Sequence, residues 1–180
     1  PFFQEEYNYN HFFQSKKEKN SNTEKSLFNI INNFLNKRSN ILTAYNLKLN
    51  LEKHIEGVIL GPIFVALSRL KLLSLNNFNN IKINKNWKSL LIKLFIKLNI
   101  IDKENLTSTE IGQFLFKRAS AYGVTVSYLP TFIRLKELIF ENPNILWEKE
   151  ENSAEIHVDR KMNVWGSGGA HKLYFKKVDE

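Results

Sequence analysis

The residue types best suited to chemistry lie close together near the end of the chain, in residues 155–175. Two histidines, His157 and His171, stand there beside an Asp159-Arg160 pair. A histidine can serve as acid or base because imidazole exchanges protons near neutral pH. His157 and Asp159 alternate along a segment predicted to be extended, so they should share one face. Asp159 and Arg160 could equally pair with each other across a local turn, which contributes little when exposed.

A Gly-Ser-Gly-Gly run at 166–169 follows, and it predicts a turn that leads into a helix. The unpaired N–H groups at a helix start favour a carboxylate or a phosphate. Ser167 and His171, four residues apart, would share such an anion pocket if both fell in the first turn. Against this, glycine-rich turns precede many helices that bind nothing, and a lone histidine is more often a structural residue. Two histidines without a placed carboxylate do not define a metal site, and we predict none.

Four upstream segments carry apolar residues at helical spacing and would form the scaffold. They are the stretch from Ser26, residues 46–75, residues 87–98 and residues 111–119. Gly61-Pro62 is expected to break the second segment, with Pro62 in the first turn of a new helix.

A small wing is predicted between the last two helices. Ile100-Ile101 and Leu106-Thr107 flank the polar sequence Asp-Lys-Glu-Asn, a pattern typical of two short strands joined by a turn. Thr107 or Ser108 would cap the helix that follows. The order helix, helix, wing and helix predicts a winged-helix arrangement.

Residues 121–140 are predicted to begin with a break at Gly123 and an extended Val-Thr-Val-Ser-Tyr. A helix should restart near Pro130, with four apolar side chains directed inward: Phe132, Leu135, Leu138 and Ile139. Trp147 would anchor the polar connection after it. The predicted fold is mainly α, a helical domain with a winged-helix-like module and a C-terminal extended segment leading into a helix. We divide it into an aromatic and polar segment 1–25, a helical domain 26–140 and a connector and lid segment 141–180.

The composition narrows the functional classes. The 180-residue chain has no cysteine, which excludes disulfides and thiolate chemistry. No apolar run reaches the length of about 18 residues that a membrane span needs, and no signal peptide opens the chain, so a cytoplasmic protein is the expectation.

The net charge of +8 raises the question of nucleic-acid binding. Lys88, Lys93 and Lys97 on the outer face of the 87–98 helix could contact phosphates. The same face carries Ile92 and Ile96, which cannot read base edges. Apolar residues on an outer face instead favour docking on another protein surface or dimerisation.

Two segments carry a family resemblance. Residues 106–132 and 157–175, LTSTEIGQFLFKRASAYGVTVSYLPTF and HVDRKMNVWGSGGAHKLYF, resemble the region before the cofactor domain in class I S-adenosylmethionine-dependent methyltransferases, with most likeness to those associated with polyketide assembly. The resemblance covers roughly residues 56–180. In such enzymes a helical, winged-helix-like region precedes a Rossmann-like domain, and the stretch between them closes over cofactor and substrate.

The resemblance implies roles for several residues of the full enzyme. Trp165, Ser167 and Tyr174 would contact S-adenosylmethionine, Asn163 and Arg160 the substrate, and His157 or His171 would act as general base. The chain has no strand followed by an Asp/Glu-x-Gly-x-Gly loop, so the cofactor would be held only in a longer enzyme with a C-terminal Rossmann-like domain. The chain alone should be inactive.

The resulting expectation is the N-terminal lid, substrate-pocket and dimerisation portion of a methyltransferase acting on a small-molecule or carrier-bound substrate. One alternative is a nucleic-acid-binding winged helix, which predicts duplex binding that falls steeply with salt. The other is a structural dimerisation domain, which predicts a stable dimer that tolerates substitution in residues 166–174.

Overall fold

A computed structural model describes residues 13–14, 22–44, 49–73, 77–149 and 155–179. The α-helices there are α1 Asn22–Ala44, α2 Leu49–Arg69, α3 Lys85–Lys97, α4 Glu110–Lys117, α5 Tyr122–Val126, α6 Leu129–Ile133, α7 Leu135–Phe140 and α8 Arg160–Val178. Two 3₁₀ turns accompany them, η1 Phe78–Asn80 and η2 Pro143–Trp147. Most of the predicted segment 1–25 lies outside the described residues.

The chain contacts define two compact units, Pro1–Lys117 and Arg118–Glu180. The boundary between them falls inside the segment 26–140 that the sequence predicts as one domain. None of the described helices is both long enough and apolar enough to cross a membrane.

The core of the first unit is organised around α3, as the apolar spacing predicts. Asn84 caps this helix by accepting hydrogen bonds from the N–H groups of Asn86 and Trp87. The apolar face of α3 is buried along its length: Trp87, Leu90, Leu91, Leu94 and Phe95. Helix α1 packs against α3. The Trp87 indole N–H donates to the buried carboxylate of Glu24 at 2.7 Å, which satisfies both polar groups inside this contact.

Helix α2 contradicts one prediction, because it runs unbroken through Pro62. The residues around the proline are buried on successive turns: Ile59, Ile63, Phe64, Val65, Ala66 and Leu67. An interior proline costs about 3 kcal/mol in a helix. Each large apolar side chain buried contributes roughly 1.5–3 kcal/mol, so burial of this segment outweighs the lost hydrogen bond.

The wing is present in reduced form, as a single antiparallel bridge between Ile101 and Ser108. The carboxylate of Asp102 accepts from the N–H groups of Glu104 and Asn105 at 2.9 and 3.0 Å, which forms the predicted polar turn. The cap of α4 is Thr109 and not Thr107 or Ser108: its hydroxyl accepts from the Gly112 N–H at 3.0 Å.

The second unit contradicts the predicted extended stretch, because Tyr122–Val126 is the helix α5. The Ser127 N–H donates to the Gly123 carbonyl at 2.9 Å, so the turn closes locally. Val124, Thr125 and Val126 favour strands by propensity, but tertiary packing overrides that preference here.

The predicted inward apolar residues of the second unit are largely at the surface. Phe132, Leu135 and Ile139 are exposed, and Leu138 is half-buried. Trp147 is 79% exposed, so it does not anchor the connection. That role falls to Ile145, which is the buried residue of η2. The connection then returns through a bridge between Lys149 and Glu155 before α8 begins.

Candidate functional site

The Gly-Ser-Gly-Gly run lies in the middle of α8 and is not a turn before a helix. The glycines allow α5 and α8 to pack closely. A Cβ added at Gly166 would lie 2.7 Å from the Val124 amide nitrogen, and one at Gly169 would lie 2.6 Å from the Ser120 hydroxyl. On the facing side, a Cβ at Gly123 would lie 2.9 Å from the Trp165 ring. The sequence pattern that looked like an anion-binding turn therefore serves helix packing.

The anion pocket predicted at residues 166–169 is wrong for the same reason. Four or more residues into an α-helix, each backbone N–H donates to the carbonyl four residues earlier and is unavailable to a ligand. The true start of α8 is capped by Asp159, whose carboxylate accepts from the Met162 N–H at 2.9 Å. This cap occupies the acidic residue that could otherwise have paired with Arg160 or oriented His157.

Asn163, predicted to contact substrate, is part of a structural hydrogen-bond chain. Its side-chain amide donates to the hydroxyl of Ser127 at 3.0 Å, and that hydroxyl donates to the Val124 carbonyl at 2.6 Å. Ser127 is fully buried, and its carbonyl accepts from the Asp159 N–H at 2.8 Å. These bonds fix the first turn of α8 against the end of α5.

Arg160 pairs with Glu155 and not with Asp159. Its Nε donates to a carboxylate oxygen of Glu155 at 2.8 Å, and its terminal nitrogen contacts the same oxygen. The hydrogen bond from Arg160, together with the charge of Arg160, lowers the pKa of the Glu155 carboxyl below its ordinary value. The predicted substrate-binding guanidinium is thus engaged at the entrance to α8.

His157 is held just before α8 through its backbone, since its carbonyl accepts from the Thr131 hydroxyl at 2.6 Å. The Nδ1 atom of its ring is buried and has no hydrogen-bond partner among the described residues. An orienting carboxylate, which commonly fixes the ring of a catalytic base, is not bound to it there.

His171 lies in the exposed half of α8. Its Nδ1 and the Ser167 hydroxyl are 3.5 Å apart, at the outer limit of hydrogen bonding. Its ring centroid is 6.1 Å from that of Tyr174 and 6.3 Å from that of Phe175. The sequence pattern did not predict this cluster of His171, Tyr174 and Phe175, because a helix start was expected in this segment.

The predicted site residues do not converge. From Arg160 to His171 the helix advances about 17 Å. His157 and His171 therefore lie far apart and do not share one site. Trp165 and Ser167 point about 160° apart around α8, and the Trp165 ring packs on Gly123. Only Ser167, His171 and Tyr174 share one flank, so the residues assigned to S-adenosylmethionine do not form one binding surface in this chain. Within the described residues, no group of three or more His, Asp or Glu side chains lies close enough together to hold a metal ion.

The outer face of α3, which a DNA-binding winged helix would use, is partly committed to intramolecular contacts. The Lys88 ammonium donates to the Asn79 carbonyl at 2.6 Å, and that of Lys97 donates to the Leu35 carbonyl of α1. Ile92 and Ile96 are half-buried. A cavity of about 320 Å³, which sequence reasoning did not find, lies between α1 and α3 and is lined by Glu24, Lys25, Phe28, Asn29, Asn86 and Trp87.

Residues 56–142 match the family model of the AprA winged helix domain. The matched segment begins within α2 and includes α3, the wing, α4 and the helices through α7. The chain is therefore mainly helical and contains a winged-helix module, in agreement with the fold predicted from its sequence. Among curated proteins, no sequence matches the chain.

Proposed function

We propose that the chain is the N-terminal lid, substrate-pocket and dimerisation portion of an S-adenosylmethionine-dependent methyltransferase, inactive by itself. The observation that supports the proposal is the similarity of residues 56–142 to a winged-helix domain, combined with apolar side chains that the second unit leaves exposed. Five large side chains between α6 and η2 are exposed: Phe132, Leu135, Ile139, Phe140 and Trp147. Apolar surface of this extent is typical of contact with another protein or domain.

The distribution of polar groups supports a helper role over a complete active site. Asp159, Asn163 and Arg160 are engaged in capping α8 and holding its first turn. Ser167 and Tyr174 are accessible, and a neighbouring domain could bring the cofactor to them. Under the proposal that domain is Rossmann-like and holds S-adenosylmethionine, and methyl transfer depends on positioning donor and acceptor.

The proposal also includes a small-molecule or carrier-bound methyl acceptor, a homodimer and a cytoplasmic location. His157 or His171 would remove a proton from the acceptor if it carries one. Alanine at each histidine, alone and together, in the longer enzyme tests this role. Turnover that stays unchanged in the double variant removes the general-base assignment without touching the rest of the proposal.

The direct test is calorimetric titration of S-adenosylmethionine into the 180-residue chain and into the native polypeptide read beyond Glu180. We expect heat of binding only with the longer polypeptide. Sedimentation of both proteins over a concentration series tests the dimerisation component separately. A longer polypeptide that does not bind the cofactor contradicts the methyltransferase proposal.

A further inference from the structure

The last two turns of α8 lie beyond its contacts with α5, and the side chains described there are exposed. Tyr174, Phe175 and Val178 are 69%, 63% and 83% exposed. The residues that pack on α5 and on Ser120 just before it lie earlier in the helix, at Trp165, Gly166 and Gly169. Residues 171–178 therefore form a helical arm, and this name is used for them below.

Three exposed residues of the helical arm lie along one side of it. His171, Phe175 and Val178 follow the spacing i, i+4, i+7 and fall within an arc of about 60°. Tyr174 lies beside this arc, and its ring and that of Phe175 flank His171 at centroid distances of 6.1 and 6.3 Å. This spacing is the one by which an amphipathic helix binds in an apolar groove.

The charges of the helical arm are all of one sign. Lys172, Lys176 and Lys177 lie outside the apolar arc and form no ion pair within the described part of the chain. No carboxylate lies between Arg160 and Val178, and among the described residues the one carboxylate paired with a cation of α8, that of Glu155, binds Arg160 at the opposite end of the helix. The charge of the surface that covers the arm must complement this row.

We propose that the helical arm docks into an apolar groove with an acidic rim on another polypeptide or domain. A second copy of the arm is disfavoured because it would bring lysines against lysines. A bilayer is disfavoured because three apolar side chains over two turns bury less surface than a single acyl chain, which itself anchors only marginally. The proposal goes beyond the function proposed above, since it needs no cofactor and no methyl transfer.

The test uses fluorescence anisotropy with two labelled synthetic helical peptides and the full 180-residue chain. Both peptides carry leucines at heptad positions a and d; one has glutamate and the other lysine at the flanking positions. We expect the acidic peptide to bind and its affinity to fall as salt is raised, because exposed charges are screened. The basic peptide should bind at least roughly tenfold more weakly.

Two variants and a control assign the binding to the arm. Phe175→Gln should lower the affinity of the chain for the acidic peptide roughly tenfold, since a central aromatic anchor is lost. The triple variant Lys172→Gln, Lys176→Gln, Lys177→Gln should remove most of the salt dependence. Val164→Gln is the matched control: Val164 is also 63% exposed on α8 but lies outside the arm, and affinity should stay within about twofold.

Several outcomes would overturn the inference. The inference of an acidic groove is wrong if both peptides bind equally or if neither binds. It is also wrong if Phe175→Gln leaves the binding unchanged. Concentration-dependent self-association abolished by Phe175→Gln assigns the arm to a second copy. Tighter binding to anionic phosphatidylserine vesicles or to single-stranded nucleic acid than to the acidic peptide, lost in the same variant, assigns it to that ligand instead.

Discussion

Two glycines of the same helix should respond in opposite ways to alanine. Gly166 faces α5, where an added Cβ would lie within 3.0 Å of three backbone atoms, from Val124, Gly123 and Ser120. Gly168 lies two residues later, where an added Cβ would meet nothing within 4 Å. Both are interior to α8, so both substitutions gain the same helix propensity, about 1 kcal/mol.

The difference between the two variants isolates the packing contribution. Backbone atoms cannot rotate aside, so at position 166 the helices must move apart, which costs about 1–3 kcal/mol. Gly168→Ala should therefore raise the free energy of unfolding by up to about 1 kcal/mol. The free energy of unfolding of the Gly166→Ala variant should be lower than that of the Gly168→Ala variant by about 1–3 kcal/mol.

Urea denaturation followed by tryptophan fluorescence measures both variants, because the Trp165 ring packs on Gly123 and reports on the second unit. The midpoints should rank Gly168→Ala first, wild type next and Gly166→Ala last. If residues 166–169 formed a turn with positive φ, Gly168→Ala would instead destabilise. That result, or equal midpoints for the two variants, would refute the close packing of α5 and α8.

Three further substitutions test other parts of the fold. Gly112→Ala should destabilise the first unit by more than about 2 kcal/mol, because a Cβ would overlap the Ile100 carbonyl at 2.0 Å; a midpoint like wild type contradicts this. The hydrogen bond from Arg134 lowers the pKa of the Glu137 carboxyl. The pair therefore stabilises the folded state at pH values above the unfolded-state pKa of about 4.3, and this stabilisation is lost as the pH falls further. Arg134→Met should therefore flatten the acid dependence of the urea midpoint below about pH 5, and an unchanged dependence contradicts the pair. Trp147→Ser should change the free energy of unfolding by less than about 0.5 kcal/mol, as expected for a surface residue; a larger loss would make it an anchor after all.

The predictable parts of the fold are those in which one helical face is continuously apolar. Helix α3 follows its pattern from Trp87 to Phe95 because the whole face is buried. The wing follows from turn chemistry, since the side chain of Asp102 binds the backbone two and three residues on. Both features depend on neighbours in sequence, which a pattern can record.

The failures share a different origin, which is packing against residues distant in sequence. Pro62 and Gly166 are helix breakers by local preference, yet burial in α2 and close approach of α5 keep both helices intact. The predicted anion pocket was wrong for the same reason, because the backbone N–H groups around a helical Gly166 donate within the helix and are unavailable to an anion. Asp159 then becomes a cap, because the helix begins at Arg160, six residues earlier than Gly166.

The most direct test of the proposed function is titration of S-adenosylmethionine into the longer polypeptide that the proposal requires, with the 180-residue chain as its matched control. We expect saturable binding to the longer polypeptide, none to the shorter chain, and weaker binding after Tyr174→Ala in the longer one. A reading frame without a Rossmann-like domain, or a longer polypeptide that takes up no cofactor, would contradict it.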